Sequence, residues 1–159
     1  MKKLTNTQKA YIAGFLDGDG SVYVKLKKND TYKYGYQIAP YITFYQQEKH
    51  IGFLEKIKRM LGVGYLRSRK DGVAEYTIGD EKSLISFARE ISPFSKLKPK
   101  QLKLLLSILV KKPKVKSIKN FISLCRLVDQ FEELNYSKKR TQNTKQVLAN
   151  LIKQGLLTP

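Results

Sequence analysis

From Thr5 to about Asp17 the apolar residues Tyr11, Ile12, Phe15 and Leu16 fall at helical spacing, with Thr5 and Thr7 in front as N-cap candidates. Gly18 and Gly20 punctuate the end of that helix. At Ser21 the period changes to two: Val22, Val24 and Leu26 alternate with Ser21, Tyr23, Lys25 and Lys27. The polar segment KKNDTYKYG predicts a long turn. The next strand puts Ile38, Ile42 and Phe44 on one face and Gln37, Ala39, Tyr41, Thr43 and Tyr45 on the other. Pro40 within it suggests an edge strand or a bulge. Glu48 to Leu61 reads as a helix closed by Gly62. Val63–Arg69 and Val73–Ile78 form a hairpin around KDG, and Asp80 caps a third helix that ends near Pro93. The order is αββαββα. Helices follow over Pro99–Lys111, roughly Ile118–Asn135 and Thr144–Gly155, with Pro99 in a first helical turn.

The pattern therefore predicts one α+β domain over residues 1–159, with a core over 1–93 and C-terminal helices over 94–159. Each hairpin has an apolar face that packs on helices. The opposite face carries Tyr23, Lys25, Lys27, Gln37, Thr43, Arg67, Arg69, Glu75 and Thr77. On one strand alone, such residues read as an ordinary solvated face.

Charge changes that reading. The chain carries a formal charge of +18. A compact domain tolerates this self-repulsion most easily beside a polyanion, and nucleic acid is the leading candidate. A β-ribbon fits the DNA major groove, where Arg, Lys and Gln can pair with base edges. No basic amphipathic helix with an aromatic-rich apolar face points to a membrane surface. Leu104–Val110, the longest apolar stretch, is too short to span a bilayer. The first residues lack the apolar run of a signal peptide. The expectation is a soluble protein that is not secreted and acts in a reducing compartment. Cys125, the single cysteine, excludes an intrachain disulfide and reads as a small core residue.

The segment from Ile12 to Ser21, IAGFLDGDGS, is the most informative. A helix ending in an Asx/Gly turn explains part of it. An EF-hand does not, because no further acidic ligands follow at the required spacing. Ala13 and Gly14 are small residues on an apolar helix, where Gly costs about 1 kcal/mol relative to Ala. They allow close approach of a second helix. Asp17 and Asp19 lie at the negative end of the helix dipole, where a cation must offset them. A hard divalent ion on oxygen ligands would do so.

IAGFLDGDGS resembles the motif of the LAGLIDADG homing endonucleases. The likeness covers nearly the whole chain, through the αββαββα order, GVGYLRSR, PFSKLKPKQ, the DQFEELN helix and the SKKR that follows. It is similar to the single-motif, homodimeric members encoded in chloroplast ribosomal-RNA introns. The resemblance implies a saddle-shaped, four-stranded antiparallel sheet that binds double-stranded DNA. It also implies a symmetric dimer in which Ile12, Ala13, Gly14 and Leu16 contact the partner. Asp19 matches the metal-binding aspartate, and the Gly18 carbonyl matches its backbone ligand. Gln46 matches a glutamine that positions water, and Lys98 a lysine near the scissile phosphate. Read without the resemblance, Gln46 is a polar strand end and Lys98 a solvated helix start. His50, the only histidine, stands where a close relative carries Arg; it is either a catalytic-periphery residue or a plain surface residue. Magnesium is the implied cofactor, with manganese substituting and calcium supporting binding without cleavage.

Asn29 and Tyr32 in the first turn, and Ala39, join the DNA-contacting set. Lys138, Lys139 and Arg140 are assigned to phosphates. A ten-residue strand spans about 33 Å, near one turn of B-DNA, so two subunits cover roughly 20 base pairs. Two-fold symmetry implies a near-palindromic site, and family membership implies 3′ overhangs and a role in intron homing. No small-molecule substrate is expected. The location is an organelle or the bacterial cytoplasm. The rival readings are an RNA-binding maturase on the same fold and a DNA-binding regulator without cleavage. The set of Asp19, Gln46 and Lys98 favours the nuclease.

Overall fold

The computed structural model describes residues 1–135 and 142–158. Helix α1 spans Asn6–Asp19, two residues longer than the pattern predicts. Thr5, not Thr7, is its N-cap: Thr5 Oγ1 accepts from Gln8 N at 3.2 Å, and Gln8 Oε1 accepts from Thr5 N at 2.9 Å. Gly20 closes the helix with an extended backbone (φ −111°) instead of a left-handed one. Its requirement for glycine is spatial, since a Cβ there would lie 2.7 Å from the Leu16 carbonyl oxygen.

Strands β1 (Gly20–Lys28) and β2 (Tyr36–Gln47) form the first hairpin. A short 3₁₀ turn (Glu48–His50) leads into α2 (Ile51–Leu61), and β3 (Tyr65–Ser68) and β4 (Val73–Ile78) form the second hairpin before α3 (Glu81–Ile91). This is the expected αββαββα order. Helices α4 (Pro99–Lys111), α5 (Ile118–Asp129), α6 (Phe131–Leu134) and α7 (Thr144–Lys153) follow. The long helix expected over 118–135 is thus divided at Gln130. No described helix is long and apolar enough to cross a membrane.

The sheet order is β1-β2-β4-β3, with β4 antiparallel to both β2 and β3. Strand β2 is interior, contrary to the edge position suggested by Pro40. The β2–β4 ladder begins only at Ile42↔Ile78, so Pro40 lies two residues outside it and its missing N–H removes no bond there.

The chain forms two compact units. The first comprises residues Met1–Val22 and Tyr41–Leu106. Its core contains Ile12, Leu16, Phe44, Leu54, Ile57, Tyr76, Leu84 and Phe87. Phe44 stacks on Phe15 at 5.1 Å and on Tyr76 at 5.8 Å, with Phe87 edge-on. Tyr76 Oη donates to the Val63 carbonyl at 2.7 Å, which satisfies a hydroxyl whose pKa burial raises well above the usual range. The second unit comprises Tyr23–Pro40 and Ser107–Pro159. Within it Tyr34 stacks on Phe121 at 4.9 Å, beside a core of Val24, Leu26, Ile38, Leu124, Val128, Val147 and Leu151. Cys125 is buried, as expected, and burial pushes its thiol up to about 12.

Candidate active site and nucleic-acid interface

The end of α1 gathers three residues far apart in sequence. Asp19 is the last residue of the helix and is exposed. Gln46 lies near the end of β2, held in register opposite Ala74. Its Nε2 donates to Asp19 Oδ2 at 2.8 Å. His50 ends the following 3₁₀ turn. Asp19, Gln46 and His50 line one shallow depression with Phe15 and Phe53. Phe53 meets Phe15 edge-on at 5.0 Å, so an aromatic wall backs these polar groups.

Lys98, immediately before α4, reaches the same helix end. Its Nζ donates to the Asp17 carbonyl at 2.6 Å. Burial lowers its pKa, while the charges of Asp17 and Asp19 oppose that shift. The ammonium therefore sits at the negative pole of α1, where a cation is favoured.

Asp17 departs from expectation. Its carboxylate accepts from Ser95 Oγ at 2.6 Å and Lys96 N at 2.6 Å, with Lys98 N at 3.2 Å. Desolvation raises its pKa, and the combined hydrogen bonds outweigh that and lower it. Protein donors thus offset this charge, and no metal is needed for it. Asp19 differs: among the described residues only Gln46 bonds it, at one oxygen. Among the described residues no group of three His, Cys, Asp or Glu could hold a metal. One carboxylate with a backbone carbonyl is a hard-oxygen donor set, fit for part of a divalent-ion shell that a partner chain, water or phosphate must complete.

Three residues expected at the dimer contact are corrected. Ile12, Ala13 and Leu16 are fully buried within the chain itself, so their side chains are spent on its own core. Gly14 is exposed, and an added Cβ would meet nothing within 4 Å; the same holds for Gly18. Tyr11, 51% exposed, shares this outward face.

The sheet positions divide similarly. Lys25, Lys27 and Arg67 are exposed, as expected, and Tyr23 and Gln37 are half-buried. The Lys25 ammonium lies 5.1 Å from the centroid of the Tyr23 ring. In the turn, Tyr32 is exposed, whereas Asn29 Oδ1 accepts from Thr31 N and Oγ1 and so braces the turn. Ala39, Thr43 and Thr77 are corrected as surface contacts. They are 3%, 1% and 5% exposed, and the two threonine hydroxyls bond each other at 3.1 Å. Arg69 is exposed but ion-paired with Asp71 and Glu75. Lys138, Lys139 and Arg140 lie outside the described residues.

Residues 12–103 match the family model described as LAGLIDADG endonuclease. The chain is 39% identical over 142 residues to DNA endonuclease I-CreI of Chlamydomonas reinhardtii, covering 89% of this chain and 86% of that protein. It is 31% identical to DNA endonuclease I-CvuI of Chlorella vulgaris, covering 89% and 90%. The crystal structure of I-CvuI in complex with its target, in the presence of calcium, superposes with a TM-score of 0.90 at 30% identity, covering 96% of this chain and 97% of that one. A match of this length, shared by motif, sheet order and helix order, has one consequence: the chain belongs to the LAGLIDADG endonuclease family.

Proposed function

We propose that the protein is a homodimeric, divalent-metal-dependent, site-specific DNA endonuclease. The observation that carries the proposal is the convergence of Asp19, Gln46 and Lys98 at the end of the motif helix, with His50 beside them, on a chain of this family. The DNA-bound structure of I-CvuI supports duplex DNA as the ligand. A second I-CvuI structure, on the I-CreI target in the presence of magnesium with the DNA not cleaved, supports a divalent ion. In this reading the substrate is a near-palindromic duplex of about 20 base pairs, cut once per strand to leave 3′ overhangs. The product break serves intron homing, and the protein works in an organelle or the bacterial cytoplasm.

Asp19 and the Gly18 carbonyl would hold magnesium, with manganese substituting and calcium supporting binding alone. When bound, the ion activates water and stabilises charge on the phosphate. The chain's own residues supply the rest. Gln46 fixes the Asp19 carboxylate through one oxygen. Its carbonyl oxygen is then available to orient water. Lys98 presents a positive charge toward a phosphate without needing a metal. His50 extends the polar rim of the depression. Lys25, Lys27 and Arg67 supply charge for the duplex, and Arg69 can read a base edge once it leaves Asp71 and Glu75.

Asp19→Asn tests the proposal. Cleavage of the target duplex should vanish while binding stays within about tenfold, because the substitution removes the metal ligand but not the DNA contacts. Substantial magnesium-dependent cutting by this variant would refute the assignment.

A further inference from the structure

Lys98 Nζ bonds the carbonyl of Asp17, two residues before Asp19, although it lies 81 residues further along the chain, so something must hold it there. Five hydrogen bonds converge on this task, one of them from Lys98 N to Asp17 Oδ1 at 3.2 Å. Ser95 Oγ donates to Asp17 Oδ1 at 2.6 Å and accepts from Lys98 N at 3.2 Å. Lys96 N donates to Asp17 Oδ2 at 2.6 Å. Lys98 Nζ returns to the Asp17 carbonyl at 2.6 Å. Ser95 is the hub: it is 5% exposed, and its hydroxyl bridges the carboxylate and the backbone of the residue to be placed.

We infer that Ser95, acting with the Asp17 carboxylate, is a positioning residue that holds the Lys98 ammonium at the end of α1. This rests on the endonuclease reading and deepens it, by assigning placement of the active-site lysine to a buried side chain beneath it. The alternative is that Ser95 merely closes the turn before α4. The geometry argues otherwise. A hydroxyl that served only the turn would need no carboxylate partner 78 residues earlier. Here the Asp17 side chain holds the loop while the Asp17 carbonyl receives the lysine, so both ends of the segment register against one residue of the motif helix.

Removing the hydroxyl leaves Lys98 with the same charge but a looser mount, and small losses of placement cost rate more than binding. Ser95→Ala should lower the single-turnover cleavage rate about tenfold, with target affinity in calcium changed less than about threefold. In a Lys98→Ala background, Ser95→Ala should slow cleavage no further, because the group it positions is gone. Side-chain ¹⁵N NMR of the full-length protein supplies a readout without activity. The Lys98 NH₃⁺ resonance should exchange slowly with solvent in the wild type and broaden or vanish in Ser95→Ala. Equal slowing in both backgrounds would overturn the inference, as would an unchanged Lys98 resonance or a parallel loss of affinity. A wild type that cuts no duplex would strike the endonuclease reading alone, since the NMR comparison still decides whether Ser95 holds Lys98.

Discussion

Two aspartates, two residues apart in the motif, should contribute very unequally to stability. The carboxylate of Asp17 accepts three hydrogen bonds from the 95–98 segment, two of them at 2.6 Å. Hydrogen bonds to a charged group contribute about 1.5–3 kcal/mol each when sheltered. Asp17 is only half-buried, and the freed backbone donors regain water, so the bonds do not add in full. Asp17→Ala should therefore cost about 2–4 kcal/mol in total. For a chain of this size that is a fall in Tm of roughly 5–12 °C. Asp19→Ala removes one exposed bond to Gln46 and one negative charge from the negative pole of α1, effects of opposite sign. Its Tm should move by no more than about 2 °C.

Thermal unfolding by circular dichroism, in chelator to remove divalent ions, separates the two. The pH dependence gives a second check. The folded pKa of Asp17 is depressed, so its stabilisation is fully present above the unfolded value of about 3.9 and is lost as pH falls through the lower folded value. The gap between wild type and Asp17→Ala should be widest near neutrality and shrink below about pH 4. Equal Tm losses for the two variants, or a gap that widens in acid, would refute the division of labour between the aspartates.

Three further outcomes follow from the site and its surroundings. Gly14→Leu should leave the subunit folded, because an added Cβ meets nothing within 4 Å, yet convert a dimer to a monomer in sedimentation at micromolar concentration. A fully active monomer would contradict the dimer assignment. Arg69→Ala should relax discrimination at one base pair in each half-site by about 1–3 kcal/mol, read by titrating single-base variants of the target; a uniform loss across all sequences would show that Arg69 reads no base. Thr43→Val should cost about 1 kcal/mol by leaving the Thr77 hydroxyl unpaired in a buried place, while target discrimination stays unchanged; altered base preference would return Thr43 to the contact surface.

Most of the architecture was legible because it depends on local periodicity. The alternation of β1, the Thr5 cap, the Gly62 helix stop and the Asp80 cap all act within a few residues. The expectations that failed concern which side of an element meets which neighbour. Thr43 and Thr77 alternate correctly for a polar face, but a strand pattern cannot reveal that they bury against each other. Asp17 needed a partner 78 residues away, and no local signal marks Ser95 as that partner.

The helix, however, contained more than its composition suggested. At about 100° per residue, Ile12, Leu16 and Ala13 fall at about 0°, 40° and 100°, whereas Gly14, Gly18 and Tyr11 fall at about 200°, 240° and 260°. Those are the buried and exposed arcs of α1. Small size alone grouped Ala13 with Gly14, but the wheel separates them. The same arithmetic puts Asp17 and Asp19 about 200° apart, and their side-chain hydrogen bonds go to different partners, the 95–98 segment for Asp17 and Gln46 for Asp19. The spacing of DGD is thus itself a device. It gives one helix end a carboxylate that clamps the 95–98 segment and a second, exposed one held by Gln46, so that the segment carrying Lys98 is fastened by the same turn that presents Asp19.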